Sequence, residues 1–293
     1  VAAGRAGPKW NPGEVRLISF RDPAGGQRVG ELLGERVRVL RAPSMRDWLT
    51  GEGRDPSGDE LDASDLELLA PVPDPPSVRD FYAFERHVAA GWRRRGGEIP
   101  EHWYAAPAFY FSNPASILGP GEPLSKPAET QMLDFELEIA AVIGSDGGLA
   151  GFTLMNDWSA RDVQAREMTV GLGPHKAKDF GTSLGPWLVT PDELPYREGR
   201  LELEAAVTVN GREVARASAA EQHFPWPEIV AAAARGTRLR PADVLGSGTL
   251  AGGCLLELGP QDFGDGRGER WLEPGDIVEL QAEGLGSLPT PIA

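Results

Sequence analysis

The chain has 293 residues, 41% of them apolar, with mixed charges and no long biased tract, which describes a globular protein with room for one large domain plus a small appendage. Its formal net charge of -15 argues against phosphate-backbone binding, so no nucleic-acid partner is expected and small molecules are preferred. No apolar run approaches the roughly 18 to 20 residues that cross a bilayer, and the single cysteine, Cys254, supplies neither an intramolecular disulfide nor a zinc cluster, so the expectations are no membrane and a reducing cytoplasm.

The opening residues, VAAGRAGPKWNPGE, lack the apolar segment of a signal peptide, although a start at Val1 is compatible with trimming. From Val15, VRLISFRDPAGGQRVGELLGERVRVL alternates short runs with Gly-containing turns, which predicts a small N-terminal β module. MRDWLTGEGRDPSGDELDASDLELL then reads as a helix with loops. In PVPDPPSV, Pro71, Pro73, Pro75 and Pro76 rule out regular helix, which puts a boundary near residues 71 to 77 and divides the chain into 1–74 and 75–293.

Beyond the boundary, RDFYAFERHVAAGW predicts a short helix with Phe81, Phe84 and Val88 on one side. RRRGGEIPEHWYAAP exceeds ordinary connection lengths and is a candidate functional loop or lid, its Arg93, Arg94 and Arg95 reading first as a solvated face. LDFELEIAAVIG alternates as a strand. Asn210-Gly211 lies between two strand-like runs and predicts a hairpin, and FPWPEIVAAAARGT predicts a helix that starts at proline and stops near Gly236. PGDIVELQAEGLGSLPTPIA is again β with turns, and no G-x-G-x-x-G or P-loop pattern is present. The fold class is mostly β with short helices (α+β).

Alternate strand residues share a face, so Glu136 and Glu138 project together about 7 Å apart. Their unscreened repulsion at an effective dielectric of 20 is about 2.4 kcal/mol. Open water would remove most of it, and a solvated edge strand is the plain reading. The continuation Ala140-Ala141-Val142-Ile143, apolar on both faces, argues instead for an interior strand, where a hard divalent cation would resolve the repulsion. Asp157, in LMNDWSARDVQAREM, is read either as a helix N-cap or as a further carboxylate on a face with Arg161, Gln164 and Met168.

With DFY....H (Asp80 to His87), LDFELE, LMNDWSARDVQ, Lys178-x-Phe180-Gly181-Thr182, LRPADVLGSGT and the LLEL that follows, in this order, the chain resembles the fumarylacetoacetate hydrolases. The resemblance implies a mixed β-roll catalytic domain preceded by a small N-terminal β domain, and a homodimer. Carried over by position, it implies metal ligands Asp80, Glu136, Glu138 and Asp157 for a divalent cation, Mg²⁺ first with Mn²⁺ or Ca²⁺ as alternatives. Lys178 and Thr182 would sit beside the metal. His87 would be the general base, Glu257 the acid that orients it, and Lys178 a catalytic cation. Tyr82, Tyr110, Gln164 and Thr249 match substrate contacts, and one of Arg93 to Arg95, with Arg95 taken for the run, would hold a substrate carboxylate. Asp134 receives no ligand role.

What the resemblance implies chemically is cleavage by water of a carbon–carbon bond in a 1,3-dicarbonyl oxo-acid, as in aromatic-compound catabolism, the leaving group being stabilised as an enolate. Imidazole suits base work near neutral pH. Without the resemblance, Glu257 in CLLELG reads as an outward carboxylate on an apolar strand, and His102, His175, Lys176 and His223 carry no motif. Met168 stands where the pattern has a substrate-binding tyrosine, the loop GLGPHKAKDFG is one residue longer, and Ser112-Asn113-Pro114 departs from the expected substrate loop. Decarboxylation or isomerisation of an oxo-dicarboxylate on the same scaffold is the alternative, and a non-catalytic metal-dependent binding protein the reading from another class. Retention of His87 and Glu257 ranks hydrolysis first.

Overall fold

The computed structural model describes residues 16–293, so the opening stretch read for a signal peptide lies outside the described residues. From Arg16 the alternating runs form β1 (Arg16–Arg21), β2 (Gln27–Leu33) and β3 (Arg36–Leu40), an antiparallel meander. The stretch read as a helix with loops is only partly helical. Met45–Thr50 is a short helix capped by the Ser44 side chain, and Pro56–Asp62 is a further strand, β4, at the sheet edge. That strand, PSGDELD, has no buried residue, so no alternation of apolar residues marks it, and its charges suit an edge that must not pair further.

The proline-rich residues 71–77 carry neither helix nor strand. Next come β5 (Val78–Phe81), α1 (Glu85–Arg94) and β6 (Phe109–Ser112). The helix expected over residues 79–92 thus starts late: its first three residues are strand and the helix begins at Glu85. Phe81 closes β5, Phe84 precedes the first helical turn, and only Val88 lies on α1, although all three join one core cluster. Pairing of Val78–Phe81 to strands on both sides overrides the helical spacing.

β7 (Leu137–Ile143) is buried at every position between β8 (Leu149–Asp157) and a later strand, the interior placement that its two apolar faces predict. α2 (Arg161–Glu167) and β9 (Thr182–Val189) follow. The expected hairpin joins β10 (Glu204–Val209) to β11 (Arg212–Ser218) through Asn210 and Gly211, at φ 53° and 80°, the left-handed pair that a two-residue turn requires. α3 (Trp226–Ala234) is the proline-started helix. The chain ends with β12 (Val244–Gly246), the one-turn helix α4 (Leu255–Leu258), β13 (Ile277–Ala282) and β14 (Gly286–Pro291).

One mixed sheet runs β4-β3-β2-β1-β9-β8-β7-β12-β5-β6, with β12 and β5 parallel and the other neighbours antiparallel. A second sheet, β11-β10-β13-β14, shares its core with the first, for Leu154, Val207 and Leu280 belong to one cluster. β1 pairs with β9, Leu17 opposite Leu188, so one sheet joins the two parts of the chain. The division at residue 74 stands as a proposal about chain segments. No helix among the described residues is long and apolar enough to cross a membrane.

Candidate active site

Adjacent strands of the mixed sheet bring the carboxylates together. Asp80 on β5 lies opposite Gly246 of β12 on one side and Tyr110 of β6 on the other. Glu138 is the second residue of β7, and Asp157 ends β8 opposite Thr182, the first residue of β9. Asp157 is therefore not a helix cap: α2 starts four residues later with Ala160 at the cap position and no side-chain cap bond. The strand expected to run unbroken from Leu133 is interrupted, Leu133–Asp134 pairing separately with Ser159–Ala160 while Glu136 makes an isolated bridge to Cys254. Each of Asp80, Glu136, Glu138 and Asp157 is buried, and each offers a carboxylate oxygen within 4.8 Å of the others.

Burial on this scale opposes ionisation. Desolvation, and then the neighbouring charge of Asp157, raises Asp80 well above the usual carboxylate range. Desolvation and Asp80 do the same to Glu138, and desolvation raises Asp157 although Lys178 pulls the other way. Glu136 goes down: burial opposes this, but Lys178 and Arg161 together outweigh it. The Lys178 ammonium donates to Glu136 Oε2 at 2.5 Å and to Asp157 Oδ2, and although burial disfavours its charge, Asp157 and Glu136 hold its pKa above the ordinary value. Glu138 accepts the Gly248 backbone N–H at 3.0 Å, and Asp157 the Tyr110 hydroxyl at 2.7 Å. Asp80 Oδ1, Glu138 Oε1 and Asp157 Oδ1 are buried without a hydrogen-bond partner. Three converging, unpartnered carboxylate oxygens are what a hard divalent cation takes as ligands, so these residues fit one.

Beside the cluster stands a second pair. His87 on α1 places Nδ1 2.7 Å from Glu257 Oε1. Glu257 lies on α4, not on the strand its apolar neighbours predict; Leu255 is buried, and a turn from extended Cys254 to Gly259 (φ 81°) swings the carboxylate inward. Burial opposes ionisation of Glu257, but the bond to His87 and the Gly252 N–H at 3.1 Å hold its pKa below the ordinary value. An ionised carboxylate only accepts, so Nδ1 carries a proton, and in the neutral imidazole the lone pair is then on Nε2. Cys254, which forms the isolated bridge to Glu136, has its Sγ 4.0 Å from His87 Nδ1, which places the pair next to the cluster.

Tyr82 lies edge-on to the His87 ring, centroids 5.5 Å apart, and burial pushes its phenol up to about 12 against the opposing charge of Arg95. Arg93, Arg94 and Arg95 are all exposed, and Arg95 stacks over Trp92 at 4.4 Å. Thr249 is buried beside Gly248, Gln164 accepts from Arg161 at 3.1 Å, and the Thr182 hydroxyl lies 3.4 Å from that of Ser112. Tyr110, Ser112, Asn113, His175 and Asp179 are among the residues lining a cleft of about 290 Å³, and the Tyr110 hydroxyl bonded to Asp157 links that lining to the cluster. From the sequence alone Arg161 has only a place on a helix face. It is buried, donates to Asp134 at 2.7 Å and lies 2.8 Å from Glu136; its position inside NDWSARD was the signal.

A family model described as Fumarylacetoacetate (FAA) hydrolase C-terminal matches residues 77–293. Among curated proteins, a fumarylacetoacetase of Oryza sativa subsp. japonica is 30% identical over 285 residues, 75% of this chain and 66% of that protein. The chain spans just under two thirds of the curated relatives it matches, 66% and 63% for the first two. Two solved structures each cover 95% of the chain and are covered to 99% themselves: a 5-carboxymethyl-2-hydroxymuconate delta-isomerase from Mycobacterium smegmatis (TM-score 0.70, 24% identity) and a fumarylacetoacetate hydrolase from Exiguobacterium antarcticum (TM-score 0.73, 22% identity). At these identities the structures share the fold, mostly β around a mixed sheet.

Proposed function

This chain belongs to the fumarylacetoacetate hydrolase family, and on that premise we propose that it is a metal-dependent hydrolase cleaving a carbon–carbon bond in a 1,3-dicarbonyl acid of the fumarylacetoacetate or acylpyruvate kind. One observation carries the reading: a buried carboxylate cluster with three unpartnered oxygens stands next to a His87–Glu257 pair whose Nε2 is left to take a proton. Asp80, Glu136, Glu138 and Asp157 would hold the cation, with Lys178 and Thr182 beside it. Mg²⁺ suits an all-carboxylate set, with Mn²⁺ and Ca²⁺ as the other hard cations. When bound, the cation would supply Lewis-acid polarisation of the two keto oxygens.

His87 Nε2 takes a proton from water as the water oxygen bonds to the carbonyl carbon. The carbon–carbon bond then breaks with its electron pair passing to the departing enolate, and the proton held at His87 is returned to that carbon. The products are two acids. Glu257 keeps the proton on Nδ1 and stabilises the imidazolium formed at Nε2. Lys178 donates to the oxygen that gains charge. Tyr82, Tyr110, Gln164 and Thr249 would line the substrate, and Arg95 would take its carboxylate. Homodimerisation, which the family resemblance implies, and a cytoplasmic location belong to the same proposal.

Purified protein with Mg²⁺ or Mn²⁺, presented with fumarylacetoacetate, acylpyruvates and oxaloacetate-like acids, should consume a dicarbonyl acid by ultraviolet absorbance and release two acids. Release of CO₂, or isomerisation without cleavage, would replace hydrolysis by the alternative chemistry. Binding without turnover of any of these acids would make the chain a binding protein.

A further inference from the structure

Asp134 is the acidic residue of LDFELE that the reaction leaves unused, yet it is wholly buried and saturated with donors. Its Oδ1 accepts the Leu255 N–H at 2.7 Å, and its Oδ2 accepts the Leu256 N–H at 2.9 Å and the Arg161 Nε–H at 2.7 Å. Leu255 and Leu256 are the first two residues of α4, and Glu257 is the third. From Asp134, Arg161 extends to Glu136 in the carboxylate cluster at 2.8 Å. The backbone of α4, the hydrogen bonds to Asp134 and the Arg161–Glu136 ion pair thus connect the base and its orienting acid to the cation ligands.

A helix of one turn cannot hold itself, because it closes too few of its own hydrogen bonds. α4 is flanked by Gly252 and Gly259, at φ 82° and 81°, so its position depends on outside anchors: the buried Leu255 side chain and the two N–H groups that Asp134 accepts. We propose that Asp134 is a positioning residue that fixes the His87–Glu257 pair relative to the carboxylate cluster, holding the first turn of α4 by its backbone and locking it to Glu136 through Arg161. The inference deepens the hydrolytic reading and rests on it only for the kinetic arm of its test.

Asp134→Asn keeps the shape, removes the charge and sets an amide NH₂ against a donor. In the metal-free protein, long-range proton–nitrogen spectra of ¹⁵N-histidine chains read the His87 tautomer, its signals being identified among the 4 histidines by their loss in His87→Gln. The wild type should show Nδ1 protonated, and the variant a mixture of tautomers. In the kinetic arm, kcat for cleavage should fall about 100-fold, with KM and the Mn²⁺ affinity seen by electron paramagnetic resonance each within about threefold. Added to His87→Ala, the same substitution should lower kcat by less than about twofold, the base it positions being absent.

An unchanged tautomer with an undiminished kcat overturns the inference. So does a loss of Mn²⁺ affinity that matches the loss of kcat, since Asp134 would then support only the cluster. Should the asparagine variant not fold, Asp134→Glu carries the test, because it retains the charge beside Arg161 while displacing the oxygens by a methylene. Wild-type protein that cleaves nothing defeats the hydrolytic reading alone, and the tautomer still decides the role of Asp134.

Discussion

Replacing Gly246 by alanine would push a methyl group into the wall of the carboxylate cluster. The added Cβ would lie 2.6 Å from Asp80 Oδ1, 2.8 Å from Met155 Cε and 3.0 Å from Glu138 Oε2, where ordinary contact begins at 3.4 Å. Asp80 must therefore retreat by about 0.8 Å, or β12 must shift away from β5 and β7. Met155 is wholly buried and has no open side to move into. Overpacking of this kind costs about 1 to 3 kcal/mol, or a few degrees in Tm. Because both displaced oxygens belong to the proposed cation ligands, affinity should fall further than stability does, by about 10- to 100-fold. Mn²⁺ titration followed by electron paramagnetic resonance, alongside thermal melts of metal-free protein, separates the two effects. Wild-type Mn²⁺ affinity in a folded Gly246→Ala protein would refute the reasoning that this glycine makes room for the ligands.

His87→Ala should retain Mn²⁺ affinity within about threefold and lower cleavage by about 100-fold or more, whereas Glu136→Ala should lose both; a His87→Ala enzyme that cleaves at the wild-type rate would remove His87 as the base. Burial raises Asp80 and Glu138, so the native state keeps protons that the unfolded chain, with carboxyl pKa values of about 3.9 and 4.3, has already lost. Above those values metal-free stability should fall as pH rises, and the increase in Tm on adding Mg²⁺ should grow from about pH 5 to about pH 8; an increment that shrinks over that range counts against a cation bound by the ionised cluster. Asp276 has the opposite sign: burial resists its ionisation, but Arg270, Asn210 and the Glu273 N–H hold its pKa below the ordinary value, so its contribution is present above about pH 4 and lost as pH falls through the folded value. Asp276→Ala should destabilise by about 3 kcal/mol in denaturant titrations near neutral pH, since Arg270 and Arg267 lose a buried acceptor, and a loss below about 1 kcal/mol would show the network to be incidental.

The sequence was most legible where one residue class dominates a local conformation. Asn210-Gly211 announced its hairpin because few other pairs adopt two left-handed residues in succession, and the two apolar faces of β7 announced an interior strand. It was least legible where tertiary contacts decide. PSGDELD forms an edge strand with no buried residue and only Leu61 packed against the core, so neither period appears in it. Phe81 has helical spacing to Phe84 and Val88 but is extended because β12 and β6 pair with its strand. Glu257 looked like part of a strand for a related reason: in a run as short as LLEL, apolar residues on a buried helical turn and on a strand are indistinguishable by periodicity.

The site's charges show why Asp134 could be grouped with Glu136 and Glu138 from spacing and yet differ from them in kind. Five buried carboxylates, Asp80, Asp134, Glu136, Glu138 and Asp157, face two buried cations, Lys178 and Arg161, which leaves a formal charge of about -3 if all ionise. The deficit is not spread evenly. Asp134 accepts two backbone N–H groups and one guanidinium, whereas Asp80, Glu138 and Asp157 each keep an oxygen with no partner. Alternation along a strand says which side chains share a face, and is silent about which of them meets donors from segments more than a hundred residues away, as Leu255 and Leu256 are from Asp134. A carboxylate saturated with donors has nothing left to offer a cation and fixes structure, while one left unpartnered in a dry site is destabilised until a cation arrives. The division of labour within LDFELE thus follows from where the donors are.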